Sequence, residues 1–164
     1  MTRKLGFTLV EIMIVVAIIA LLAAIAIPNV LRGRATANEA AATGNLRALV
    51  SSLEMYRSTN NEYAADWDTD LYTNAEPDYG PPSFNLNLEA AQVVQGYNYI
   101  YARTAAQTYT LDAYPSTTTN GTRAFFVNES GVVRHCRCPA AGCSATVNAA
   151  VGSNTLDALP AVCA

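Results

Sequence analysis

Residues 12–30 contain no charged side chain. Together with the residues just before it, this run makes an apolar stretch (7–27) of about twenty residues. That is long enough for a helix to cross ~30 Å of hydrocarbon at ~1.5 Å per residue. Beyond it the composition changes, becoming rich in Ala, Thr, Asn, Asp and Tyr. A chain of 164 residues has room for one small domain and an additional element, not for two full cores. The expected plan is a membrane-competent segment followed by a water-soluble head.

A cleavable secretory signal shares part of this pattern: a basic start, an apolar run and an A-x-A at Ala24-Ile25-Ala26. Two features oppose it. The run is too long, and Glu11 sits near its beginning, where a carboxylate in lipid costs several kcal/mol. Charge does not decide orientation, because Arg3 and Lys4 before the span are matched by Arg32 and Arg34 after it. The cysteines do. Cys136, Cys138, Cys143 and Cys163 all fall in the last fifth of the chain, and an even number behind a membrane-targeting start implies disulfides in an oxidising compartment. The head is therefore expected outside. With a net charge of −3, no basic run and Lys4 as the sole lysine, strong binding of nucleic acid is not expected.

Pro28 removes a backbone donor and is expected to kink or locally melt the helix without having to end it. Helical patterning resumes to about Asn60. Leu46, Leu49, Val50, Leu53 and Tyr56 recur at three-and-four spacing along one face, with Arg47, Glu54 and Arg57 on the other. Gly33 and Gly44 each weaken the helix by up to ~1 kcal/mol, which suggests close packing or bending. If continuous from residue 7 to 60, the helix would be about 80 Å long.

The acidic, proline-containing stretch 62–83 reads as an irregular connection. Alternation then predicts strands at 97–101 and 109–113. A hairpin is expected from 124–127 and 131–135, with a turn at Asn120-Gly121 before it. Three or four antiparallel strands are expected to pack on the second half of the helix, with tyrosines filling the interface. Asp66, Asp68 and Asp70 could converge on one calcium ion. An EF-hand is excluded, since Leu71 and Pro77 stand where its glycine and twelfth ligand belong. The competing reading is a solvated acidic loop. One histidine, no nucleophile elbow and no phosphate-binding glycine loop argue against an enzyme.

Met1-Thr-Arg-Lys-Leu-Gly6 followed by Phe7-Thr8-Leu9-Val10-Glu11, and the apolar continuation to Pro28, resembles the prepilin signal of type IV pilins and type II secretion pseudopilins. The resemblance covers about the first thirty residues. It implies an α+β, type IV pilin-like fold: a long N-terminal helix whose second half packs on a small antiparallel sheet, with a cysteine-rich C-terminal loop. The domains would be a leader at 1–6, a helix at 7–60 (7–28 being the transmembrane and assembly part) and a head at 61–164. It implies cleavage by a prepilin peptidase between Gly6 and Phe7, and N-methylation of Phe7. Glu11 would engage the new amine of a neighbouring copy in a helical filament, and Pro28 would mark local melting. Partners would be further copies, the peptidase, an inner-membrane platform protein and an assembly ATPase.

The precursor would be a single-pass protein of the inner membrane, and the product a surface pilus serving adhesion, twitching motility or DNA uptake, or a periplasmic pseudopilus; a head tethered to the membrane as a binding module, with no polymer, is the reading from a different class. The cysteines resemble the disulfide-bounded C-terminus of many pilins, but number four and not two. A Cys136–Cys138 bridge would close too tight a ring, so one of these is expected to join Cys143 and the other Cys163. Zinc held with His135 is the alternative, at a spacing not standard for it.

Overall fold

The computed structural model describes residues 7–138. The leader residue Gly6, together with Cys143 and Cys163, lies outside the described residues. Contacts divide the chain into two compact units, Met1–Arg34 and Ala35–Ala164.

Helix α1 runs over Leu9–Asn60, ending where the patterning stops. In the first unit its apolar side chains are exposed: Ile14 at 55%, Leu21 at 67% and Val30 at 67%. The helix continues through Pro28 without interruption, so the expected local melting is not seen in the single chain. Beside the proline, the Asn29 side-chain amide donates to the Ile25 carbonyl at 3.0 Å, adding a bond where the pyrrolidine ring disturbs the ladder.

In the second unit, α1 buries Ala42, Leu46, Leu49 and Leu53, the face that the spacing marked. Gly44 has nothing within 4 Å of where a Cβ would stand, and in the first unit the same holds for Gly33. The expected close packing at these glycines is absent within the chain.

Five antiparallel strands follow in sequential order: β1 (Gln92–Val94), β2 (Tyr97–Ala105), β3 (Thr108–Pro115), β4 (Arg123–Asn128) and β5 (Arg134–Arg137). The sheet therefore exceeds the expected count by one. β1 is only three residues long and has no alternation that a sequence reading could use. Its hairpin to β2 turns on Gln95 and Gly96, with φ of 51° and 82°, the left-handed pair of a type I′ turn. β5 begins three residues later than expected.

One face of the sheet packs on α1. Alternation brings Tyr97, Tyr99 and Tyr101 of β2, Tyr109 and Leu111 of β3, and Phe125 and Val127 of β4 into the core. Gly121 does not serve through a left-handed turn. Its backbone lies against the Tyr97 hydroxyl, leaving no room for a Cβ.

The stretch 62–83 is not a solvated connection. Tyr63, Ala64, Trp67, Leu71 and Tyr72 are buried in the same core, with a π-helical turn at Thr69–Thr73 and a 3-10 turn at Pro82–Phe84. Polar contacts pin it to the sheet and to the 3-10 turn. The Tyr101 hydroxyl donates to the Ala64 carbonyl at 2.7 Å, and the Trp67 indole donates to Phe84 at 2.9 Å. Glu54 and Arg57 are also not merely the solvated side of α1. The Tyr63 hydroxyl donates to Glu54 at 2.6 Å, and Arg57 donates to that hydroxyl at 3.1 Å while lying over the ring. Burial, with Glu54 beside it, pushes the Tyr63 hydroxyl up to about 12.

Candidate functional site

The N-terminal end of α1 carries an arrangement that Thr8-Leu-Val-Glu11 encodes directly. The Thr8 hydroxyl accepts from the Glu11 N–H at 3.3 Å. In return, Glu11 Oε2 accepts from the Thr8 N–H at 2.8 Å and from the Thr8 hydroxyl at 2.7 Å. This reciprocal pair is a capping box, which satisfies backbone donors that a helix start leaves open. It also sets the carboxylate at the positive end of the helix dipole. T-x-x-E ahead of an apolar run is the spacing that signals such a box, and it adds Thr8 to the residues expected at this site.

Phe7 lies before the first helical residue and is 84% exposed. The end of the segment thus combines a large exposed ring, a carboxylate already turned back toward the chain terminus, and a continuous apolar surface. The window of highest hydropathy in α1 is long and apolar enough to cross a membrane and has no buried residue. In water such a surface is strongly unfavourable, at roughly 25 cal/mol per Å². Lipid or other apolar helices must cover it.

Of the three carboxylates considered for calcium, only two meet. Asp66 and Asp68 come together with Glu89, their ligand atoms all within 4.8 Å of one another. Glu89 was not foreseen, being more than twenty residues away. A hydrogen bond with Asp68, then bonds from Thr69, hold Asp66 below the usual range. The same Asp66–Asp68 bond raises Asp68. Asp70 instead accepts from the Ala65 and Asp66 N–H groups at 2.7 and 3.1 Å, closing the turn and leaving the group.

Cys136 lies buried on β5, opposite Ala124 of β4, and the Cys138 N–H donates to the Thr122 carbonyl at 2.8 Å. Both cysteines are disulfide-bonded. His135 is exposed on β5, and it joins no cluster of three potential metal ligands among the described residues.

The prokaryotic N-terminal methylation motif matches residues 1–27. The chain is 47% identical over 66 residues to the type IV wide pilus major component of Thermus thermophilus, covering 40% of this chain and 50% of that protein. It is 47% identical over 62 residues to the type IV major pilin protein of Myxococcus xanthus, covering 38% and 28%. To the type II secretion system core protein G of Aeromonas hydrophila it is 38% identical over 61 residues, covering 37% and 43%. The chain thus spans half or less of the length of these relatives. No solved structure gives a significant match.

Proposed function

With the methylation motif and relatives among pilins and pseudopilins as its premise, we propose that this chain is a structural subunit of a type IV pilus, made as a membrane-anchored precursor. Hydrolysis of the Gly6–Phe7 peptide bond by a prepilin peptidase would release the leader with Arg3 and Lys4, leaving Phe7 with a free amine that is then N-methylated. The observation that carries the reading is the continuous exposed apolar surface of α1 ending in Phe7 and the Thr8–Glu11 pair. An ammonium entering an apolar filament core needs a counter-charge, since isolated buried ions are strongly destabilised. The Glu11 carboxylate sits where it can supply one, to its own terminus or to that of the next copy. The role is structural and not catalytic. Assembly would need the platform protein and the ATPase as separate partners, because the sequence offers no nucleotide-binding loop. The head would lie on the far side of the inner membrane, with Cys136 and Cys138 bridged to Cys143 and Cys163.

A pseudopilin of a type II secretion system is the second reading, supported by the similarity to core protein G. Electron microscopy of sheared surface material separates the two, paired with mass spectrometry of the N-terminus. Long filaments containing this chain, with methylated Phe7 first, are expected. Processed protein confined to the periplasmic side of the membrane would favour the pseudopilus, and an intact leader on assembled protein would overturn the cleavage step.

A further inference from the structure

The sheet has a second face, and its burial is uneven. α1 and the stretch 62–83 pack on the side that carries Tyr97, Tyr99, Tyr101, Phe125 and Val127. Alternation turns Ala124 and Phe126 of β4 to the opposite side, and the register carries that side across the sheet. Ile100, Asp112, Phe126 and Arg134 stand in one row over β2, β3, β4 and β5, with Ala124 beside Cys136. A sheet face left to water exposes such a row. Yet Phe126 is 3% exposed, Ala124 0% and Cys136 2%, although none of the three belongs to the core shared with α1. Ile100 and Asp112 are half-buried, and Asp112 Oδ1 is shut off from solvent without a hydrogen bond. Ala102 and Thr104, farther along β2, are exposed. The buried footprint is centred on β4 and fades toward the far end of β2.

Two observations say what covers it. Cys136 points to this face, being paired with Ala124, and it is disulfide-bonded. A bridge holds its two Cα atoms about 4.4–6.8 Å apart, so the partner cysteine lies on this side of the sheet. Cys138 would close too tight a ring, which leaves Cys143 or Cys163. The second observation is composition. Residues 139–164 contain one charged side chain, Asp157, and the apolar Val147, Val151, Leu156, Leu159 and Val162. Such side chains remove Phe126 and Ala124 from water, a gain of roughly 25 cal/mol per Å². Reach is ample. The stretch 144–162, at up to ~3.3 Å per residue, is several times longer than the width of three strands ~4.8 Å apart, so it can cross the face and return.

We propose that the outer face of β3, β4 and β5 is the docking surface of this chain's own residues 139–164, which fold back over Phe126 from the Cys136 bridge. The proposal rests on the downstream pairing of Cys136 and Cys138 and goes beyond it, because a bridge fixes one point and not a covered face. Neighbouring copies then meet residues 139–164 on this side of the head, not the strands. The test is nuclear Overhauser spectroscopy of the full oxidised chain in maltoside micelles, with labelled Phe rings and Val and Leu methyls, run also on a mixture of labelled and unlabelled copies. Contacts within one chain from the Phe126 ring to methyls of residues 147–162 are expected. Leu156→Ser combined with Leu159→Ser should raise hydroxyl-radical oxidation of Phe126 severalfold, while Tyr101 on the other face stays protected and reports an intact core. Peptide mapping of the same sample reads the bridges. Contacts found with Cys136 and Cys138 joined to each other would overturn the pairing and keep the docking. Downstream bridges with a Phe126 ring that meets no residue of 139–164, or meets only a second copy, would overturn the docking and keep the pairing. Unchanged oxidation of Phe126 in the folded double variant would overturn the docking as well.

Discussion

Glu11 holds two roles that single substitutions can separate. Its carboxylate closes the capping box with Thr8, and caps of this kind are worth about 0.5–2 kcal/mol to a helix start. It is also the counter-charge proposed for a terminal amine. Thr8→Val removes both bonds of the Thr8 hydroxyl while keeping the charge and the backbone Thr8 N–H bond to Glu11, whereas Glu11→Val removes the carboxylate with its charge and the bonds it accepts. We expect Thr8→Val to fray the first turn yet still enter filaments. Glu11→Val should be inserted and processed but remain in the membrane fraction, as read by immunoblot of sheared and membrane material. Equal loss of filaments in both variants would assign Glu11 to the cap alone.

Asp112 sits on β3 with Oδ1 unbonded, and burial pushes its carboxyl up to about 7. The unfolded chain holds this group near the ordinary value of about 3.9. Its folded value is higher, so ionisation disfavours the fold. The penalty is absent below about pH 4, grows as pH rises between the two values and is complete above about pH 7. Asp112→Asn should therefore stabilise the head at pH 8 by a few kcal/mol while changing little at pH 4. Thermal unfolding at both pH values checks it, and equal melting shifts would refute it.

At the scale of elements, glycine separates what propensity reveals from what packing decides. Gly44 lies inside α1 with open space around it, so Gly44→Ala should raise stability by about 0.5–1 kcal/mol. Gly121 is an ordinary turn glycine in the sequence, but its backbone supports the Tyr97 ring. Gly121→Ala should cost about 1–3 kcal/mol by overpacking. Denaturant melts of the two variants should move in opposite directions; a loss at Gly44 would mean that its open side is occupied in the assembled state. The helix and the longer strands were legible because periodicity is a local property: α1 ends at Asn60, and the tyrosines of β2 and β3 alternate into the core. The stretch 62–83 was not. Tyr63, Trp67 and Leu71 recur at four-residue spacing, but the acidic and proline residues around them gave the stretch the composition of a surface loop.

Across the whole molecule, the cysteines give the most direct chemical check. With all four bridged, reduction of the full chain should add about 2 Da for each of two bridges, and peptide mapping should join Cys136 and Cys138 each to a different cysteine downstream. A single bridge or four free thiols in native protein would refute the pairing. The pairing also bears on what holds the last part of the chain, since Cys136 and Cys138 emerge from the final described strand of the sheet.

The sequence by itself determined the anchor, the motif and the helix face, because an uncharged apolar run, a T-x-x-E spacing and a three-and-four repeat act over one or two helical turns. Tertiary structure decided the rest. It removed Asp70 from the acidic group and brought in Glu89, turned Glu54 and Arg57 toward Tyr63, and set Tyr56 against Tyr79. Each of these partnerships joins residues whose proximity depends on the path of the backbone between them, and no local pattern encodes that path. At the N-terminal end of α1 the apolar surface and the Thr8–Glu11 pair are both local and so written in the sequence, whereas at its other end the contacts of Glu54 and Arg57 with Tyr63 depend on the path of the chain beyond Asn60.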